Sequence, residues 1–377
     1  MTGHSYRQGL RHETMKEKTS DILVIGAGAW GLAAAYGALR AGRSVRILEA
    51  GQPGIGASGG LVGALSPHVP DQWNPKKQFQ FEALDAGQQF WRRIAEISEL
   101  PTGYGRLGRI VPIKDEASRD LAELRAQNAS TLWQGVYQWQ VLDQIPSYLS
   151  PLAAPFGAVH ETLSARLEPR LAIAALSEAV RALGGDIVEN QYVETILEGA
   201  VTTAQNTYLA ERIFVASGLN GIDWMSALIG KRAGGGVKGQ AALLKINLGP
   251  QPQIFDDGIY IIPHDGGQTA IGSTSENTWE HGGTDERLDD LITRAIAICP
   301  ELSCAQVLER WASLRPKAKR RDPMLGPVPG FDRVYAVLGG FKIGLGLMPK
   351  IADLMAEFAV GKHPDLPESF RVTHHLQ

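Results

Sequence analysis

The sequence predicts a mixed α/β (α+β) chain in which a parallel sheet covered by helices carries a second, strand-rich domain inserted twice. Three observations predict it. Residues 21–49 read as strand, glycine turn, helix, strand. Strand–helix units of the same kind recur near the middle and the end, and strand-dense text fills the two stretches between them. A length of 377 residues accommodates two or three domains at about 150 residues each.

In chain order, residues 1–20 are charged, lack an apolar signal core, and are expected to be a flexible extension. Ile22–Ile25 is a continuous apolar run, as a parallel strand buried on both faces requires. Trp30–Ala41 is rich in Ala and Leu and free of Pro, so it favours a helix. Gly42 stands where the helix must end in a left-handed conformation. Val45–Leu48 resumes a strand, and 51–63 is a Gly/Ala/Ser loop. Residues 79–100 carry helical spacing, 104–151 mix strand and helix, and 171–183 form an amphipathic helix. Short strands follow at 187–188, 192–197 and 213–216, then at 237–246, 258–263 and 269–272. A helix over 286–298 leads into a strand at 307–314. Strand 334–338, a turn at Gly339-Gly340 and a helix from about Leu345 to Val360 close the pattern.

Composition removes several function classes. Lys plus Arg is 37 against 40 for Asp plus Glu, a net charge of −3. That balance argues against a nucleic-acid partner and against a membrane-surface binder. The uncharged run 22–39 has the length of a membrane span, but glycines at 26, 28, 31 and 37 interrupt it, so no span is expected. Two cysteines, Cys299 and Cys304, make no disulfide framework or metal signature, and a cytoplasmic location is expected. No metal site is expected. Glycine is the outlier: 43 residues, about 11% against a usual ~7%.

Gly26-Ala27-Gly28-Ala29-Trp30-Gly31 places G-x-G-x-x-G between the first strand and the first helix. The first glycine permits the tight turn, the second lets a pyrophosphate approach, and the third lets the helix pack on the strand. The helix N-terminus offers unpaired N–H groups to the phosphates. Glu49, at the end of the second strand and followed by Ala50, is placed to accept from a ribose hydroxyl. An adenine dinucleotide is the implied ligand. The small-residue loop through Gly56, Ala57, Ser58, Gly63, Ala64 and Leu65 suits backbone wrapped against an extended cofactor.

With these residues the chain resembles the FAD-dependent glycine and D-amino-acid oxidases and dehydrogenases, which include sarcosine oxidases. The resemblance spans about residues 20–362. Its further marks are Leu167-Glu168-Pro169, Val215–Gly218, Val237–Gln240, Tyr260–Pro263 with Ile271-Gly272, Leu314-Arg315-Pro316 with Pro323 and Gly326, and Gly339–Gly344. It implies non-covalent FAD in a discontinuous Rossmann-like domain (21–90, 152–226 and 318–365). An antiparallel-sheet substrate domain (91–151 and 227–317) would cover the flavin, and 366–377 would be a tail. Val193, Ala216, Ser217 and Gly218 would meet the adenine end. Gly340, Phe341, Lys342, Ile343, Gly344 and Leu345 would meet the flavin, where a helix N-terminus would favour negative charge.

The resemblance also implies a reaction. Hydride would pass from the Cα of a small amino acid or secondary amine to flavin N5, and the imine would hydrolyse to an oxo-acid and an amine. Arg315, next to the flavin, would hold the substrate carboxylate with its guanidinium fork. Tyr260 would be a second carboxylate ligand, and Lys342 a substrate contact, an oxygen-activating cation or a structural residue. Electrons would go to oxygen or another acceptor, and self-association into a homo-oligomer is open. Two other readings stand beside it: a flavin module acting on carboxymethylaminomethyl-uridine of tRNA, and a non-catalytic FAD-binding subunit of an amine-oxidising complex. The basic run Lys317-Ala318-Lys319-Arg320-Arg321 departs from the family pattern and reads as a solvated surface turn.

Overall fold

The computed structural model describes residues 17–377. The chain opens with β1 (Glu17–Ile25), α1 (Ala29–Arg40), β2 (Val45–Leu48), β3 (Ala64–Leu65) and α2 (Pro75–Ser98). It continues through β4 (Arg109–Pro112), α3 (Glu116–Leu132), β5 (Trp139–Leu142), β6 (Ala158–Glu161), β7 (Ala165–Arg166) and α4 (Pro169–Ala182). Next come β8 (Asp186–Val188), β9 (Val193–Leu197), β10 (Ala200–Thr203), β11 (Thr207–Val215) and α5 (Gly218–Ile229). The strands β12 (Gly234–Lys245), β13 (Gln253–Asp256), β14 (Ile259–Pro263) and β15 (Thr269–Gly272) precede α6 (Glu286–Ile298). Last are β16 (Gln306–Ala318), β17 (Met324–Pro327), β18 (Val334–Leu338), α7 (Met348–Ala359) and α8 (Val372–Leu376).

Two eight-stranded sheets result. The first runs β17-β18-β11-β1-β2-β8, with β10 on β11 and β9 on β10. Its centre is parallel and buried, and Ile22, Leu23, Val24 and Ile47 have no exposed surface. The uninterrupted apolar text of β1 is what a strand covered on both faces needs. Helix α1 is buried over most of its surface. A Cβ on Gly37 would lie 1.9 Å from the Ala352 carbonyl oxygen, so that glycine lets α7 lie directly on α1. Trp30 ties the same two regions by donating from Nε1 to the Gly344 carbonyl at 2.8 Å.

The second sheet runs β16-β12-β15-β14-β13-β4-β6-β5 and is antiparallel except where β13 meets β4. Register builds a row across it. Trp311 lies opposite Ala241, Ala241 opposite Gly272, Gly272 opposite Tyr260 and Tyr260 opposite Phe255. Because side chains alternate with period two, Arg315 shares the face of Trp311, and Arg109, opposite Gln253, shares that of Phe255.

Several expectations are corrected. Residues 17–20, placed in a flexible extension, pair with Thr207–Ala210 of β11, so β1 starts earlier. The rest of that extension, 1–16, lies outside the described residues. Strand β6 belongs to the second sheet although 152 onward was placed in the first domain. Residues 366–377 are folded rather than a tail, with Phe370 and Val372 buried. Helix α7 begins at Met348, not Leu345, because a run of turns occupies 341–347 and Pro349 sets the first helical turn. Helix α5 was not anticipated, since its opening Gly218-Leu219-Asn220-Gly221 reads as loop.

Candidate active site

Two connected cavities lie between the sheets. The larger, of about 1100 Å3, is an elongated groove over the ends of β1, β2 and β11. The smaller, of about 330 Å3, faces the second sheet, and Ala57, Phe341 and Leu345 line both.

The groove gathers most of the residues expected to hold a dinucleotide: Gly26, Gly28, Ala29, Trp30, Glu49, Ala50, Gly56, Ala57, Ser58, Val193, Ala216, Ser217, Gly218, Gly340, Phe341, Gly344 and Leu345. Gly26 has φ +100° and approaches the Ala216 carbonyl so closely that a Cβ would lie 2.8 Å from its oxygen. At Gly28 a Cβ would meet only Ser58 Oγ, at 3.2 Å, so the bare backbone there faces the groove. No side chain of Gly28 caps α1; Ser58 does so instead, accepting from the Ala29 N–H at 3.0 Å. Glu49 is buried and fixed by the turn it faces, accepting from Ala27 N–H at 2.7 Å and Gly51 N–H at 3.0 Å. A bare-backbone cradle, a helix start and an oriented carboxylate fit an adenine dinucleotide.

Ala64, Leu65, Arg315, Lys342 and Ile343 line the smaller cavity instead, and three of the expected residues line neither. Ala27 serves through its N–H to Glu49. A Cβ on Gly31 would lie 1.9 Å from the Gly26 carbonyl oxygen, so its role is packing the helix on the turn. Gly63 faces Leu167, to whose N–H its carbonyl is bonded at 2.9 Å. The helix start expected at the flavin is displaced, because residues 341–347 come between it and the groove.

The smaller cavity brings together Arg315, Tyr260 and Lys342 with Ala64, Leu65 and Ile343. Arg315 extends from β16 and donates to the Thr274 carbonyl at 3.1 Å and to Ser273 Oγ at 2.5 Å. Burial lowers its pKa below the ordinary guanidinium value, Glu276 opposes the shift, and the group stays cationic at neutral pH. Glu276 itself is engaged elsewhere, by Arg287 at 2.8 Å, Gln240 at 2.9 Å and Lys238 at 3.6 Å. Arg315 therefore faces the cavity without an ion-pair partner among the described residues. Tyr260 packs on Phe255 at 4.5 Å between ring centroids. The Lys342 amine lies 5.9 Å from the Phe341 ring centroid, and burial, Arg315 and Lys317 lower its pKa.

Sequence reasoning missed Arg109, Phe255, Trp311, His68 and Gln80, all of which line this cavity. Arg109 and Glu161 form a buried ion pair, Nε to Oε1 3.0 Å. His68 is fixed by its N–H to Gln80 Oε1 at 2.7 Å, and burial holds its imidazole below the usual pKa. Of these, Trp311 alone had a signal, lying four residues before Arg315 on the same strand face. No Asp or Glu lines the cavity.

The basic run is corrected in part. Lys317 and Ala318 end β16, Ala318 is fully buried, and Lys317 lies over the Phe341 ring at 5.6 Å. Only Lys319–Arg321 form an outer turn. Cys299 is buried, with its thiol pushed up to about 11 by burial; Cys304 is exposed, and neither lines a cavity. Among the described residues no helix is long and apolar enough to cross a membrane.

The family described as FAD dependent oxidoreductase matches residues 21–358. A glycine oxidase of Bacillus licheniformis is 26% identical, covering 91% of this chain and 94% of that protein. One of Pseudomonas aeruginosa is 27% identical over 91% and 95% of the two chains. In structure, the chain is similar to glycine oxidase of Geobacillus kaustophilus, with TM-score 0.84 and 22% identity over 95% of this chain and 99% of that one.

Proposed function

The chain belongs to the FAD dependent oxidoreductase family, and from that premise we propose that it oxidises the C–N bond of a small amino acid or secondary amine. The carrying observation is Arg315, a half-buried guanidinium without a carboxylate partner, facing a cavity that opens onto the dinucleotide groove. A bidentate fork matches a carboxylate and fixes the substrate's orientation. The names of the similar glycine oxidases support the same class of substrate.

Bound FAD supplies the electron-pair acceptor for the substrate's Cα–H, and the imine so formed hydrolyses to an oxo-acid and an amine. The residues of this chain do the positioning. The start of α1 with Gly28 would hold the pyrophosphate, Glu49 the ribose, Val193 and Ala216–Gly218 the adenine end, and Gly340–Leu345 the flavin. Thr274 and Ser273 hold the Arg315 fork from behind, leaving its remaining donors to the carboxylate. The Tyr260 hydroxyl would give the carboxylate a second donor. Trp311 and Phe255 wall the cavity with apolar rings, limiting water around the reacting carbon. The same reading divides the chain into a cofactor part (21–90, 152–226 and 318–365) and a substrate part (91–151 and 227–317), with β6 crossing to the latter.

The test is anaerobic bleaching of the holoenzyme's flavin by glycine, N-methylglycine and the D and L forms of alanine, proline and aspartate. We expect at least one α-amino carboxylate to bleach it while the matching decarboxylated amine does not. Bleaching by none of them overturns the reading. Admitting air or an artificial acceptor afterwards assigns the electron acceptor.

A further inference from the structure

We infer that the smaller cavity is a two-anion site: the substrate is an amino acid carrying a second carboxylate, and Arg109 on β4 receives that second group. The inference rests on the proposed amine oxidation for the first carboxylate, at Arg315 and Tyr260, and adds the class of molecule attached to it.

The argument begins with charge. Arg109, Arg315, Lys342 and His68 line one small cavity that no acidic side chain enters. One carboxylate would neutralise a single cation. Arg109 is the informative member, because its side chain is 6% exposed and a guanidinium is retained at such depth only with partners. Its protein partner is Glu161, whose two oxygens also accept from the N–H and Oγ of Ser164. The contact to Arg109 is through Nε at 3.0 Å, in a direction too poor to make a hydrogen bond. Its two terminal nitrogens make no hydrogen bond to a described residue. The ion pair thus supplies charge balance and leaves the bidentate face of the guanidinium for a ligand.

Geometry sets the spacing. Five inter-strand steps of about 4.8 Å, across β12, β15, β14 and β13, and an offset of six residues along the strands separate the backbones of Arg315 and Arg109, and the two long side chains reach toward each other over the curved sheet. Both side chains turn into the same cavity. The Arg109 guanidinium carbon stands 5.5 Å from the Phe255 ring, which in turn packs at 4.5 Å on Tyr260. A one-residue ligand, about 3.5 Å long, meets only one guanidinium. A chain running along the Tyr260–Phe255 wall meets both.

The test uses non-oxidisable ligands on the FAD-loaded protein, with dissociation constants from titration calorimetry. Glutarate is compared with pentanoate and succinate with butanoate, so that each pair differs by one terminal carboxylate. A second charge-assisted contact predicts tighter binding of one dicarboxylate by about ten- to a hundredfold. Removing Arg109 alone would strand a buried Glu161, so the variant is Arg109→Gln with Glu161→Gln. FAD content and melting temperature check that it folds, and Arg109→Lys provides a second variant that keeps the charge without the fork. In the double variant the ratio between paired ligands should fall to about threefold or less, with Arg109→Lys between it and the native protein. Paired ligands of equal affinity in the native protein, or a preference that survives the double variant, overturn the inference. A dicarboxylate preference without bleaching by any amine sinks the oxidation reading and leaves the two-anion site standing. Bleaching by monocarboxylic amines without that preference does the reverse.

Discussion

The two ends of the candidate site offer a ligand different groups. Along the groove the chain presents backbone: bare glycine at 26 and 28, the start of α1, and a carboxylate at Glu49 held by two N–H groups of the same turn. In the smaller cavity it presents side chains gathered from β4, β13, β14 and β16, two of them arginines, with Lys342 from the turn run before α7 and His68 from the loop before α2 beside them. Backbone recognition is local and is broken by adding atoms. Side-chain recognition is distributed and is broken by removing them. Substitutions at the two ends should therefore fail in different ways.

The largest effect is expected at Gly31. Its added Cβ would sit 1.9 Å from a backbone oxygen that cannot yield, so Gly31→Ala should cost about 3 kcal/mol of stability, read from denaturant melts. Gly28→Val sharpens the contrast. Only Ser58 Oγ lies near that position, so the chain should fold yet purify without flavin colour. An unfolded Gly28 variant, or a yellow one, breaks the picture of a backbone cradle.

Comparable in size, but read in activity and not in stability, is Arg315→Leu. Losing two charge-assisted hydrogen bonds, about 2–4 kcal/mol, should lower kcat/KM by about 30- to 1000-fold on a substrate found by bleaching, with FAD retained. Arg315→Lys should fall between, since it keeps charge without the fork. Equal losses for an amino acid and its decarboxylated analogue would show that Arg315 holds the fold and not the carboxylate.

Glu49→Ala should weaken FAD binding by about 1–3 kcal/mol, measured by titrating apoprotein. Unchanged affinity would remove the ribose from Glu49 and leave that carboxylate as a brace for Ala27 and Gly51.

The smallest effect concerns acid. Hydrogen bonds from Lys238 and Gln240 hold Asp285 well below the ordinary carboxylate range. Burial alone would raise Glu276, but Thr274, Gln240, Arg287 and the Lys238 charge bring it below its usual value. A carboxyl depressed in the folded state contributes stability above its unfolded pKa, about 4, and that stability is lost as pH falls further toward the folded value. Amide exchange of β12 and β15 should therefore rise below about pH 4 before that of β1 and β11. Asp285→Asn should flatten the difference. Simultaneous loosening of both sheets would contradict it.

The same contrast explains what could be read from the chain. The strand–turn–helix–strand of 21–49 is one continuous stretch whose glycines and Glu49 act on neighbours, so its elements and most of its groove residues were legible. Strands at Val45–Leu48, Thr269–Gly272 and Val334–Leu338 and the helix at Glu286–Ile298 also stand where apolar runs and breakers put them. Arg109, Phe255 and Trp311 meet only because five pairings set their register, and register is a property of the folded sheet. Helix α5 hid behind two glycines within its first four residues, and α7 behind a glycine-containing turn run that continues to Leu347.

The Trp30–Gly344 bond and the seat of Gly37 on Ala352 join segments more than three hundred residues apart. A ribosome adding about 5–20 residues per second makes α1 roughly 15–60 s before α7. Throughout that interval the apolar side of α1 that α7 will cover lacks its cover, and the floor of the groove cannot close. Closure of the groove floor is accordingly tied to the synthesis of α7, and until then the uncovered side of α1 is a vulnerable surface of the nascent chain.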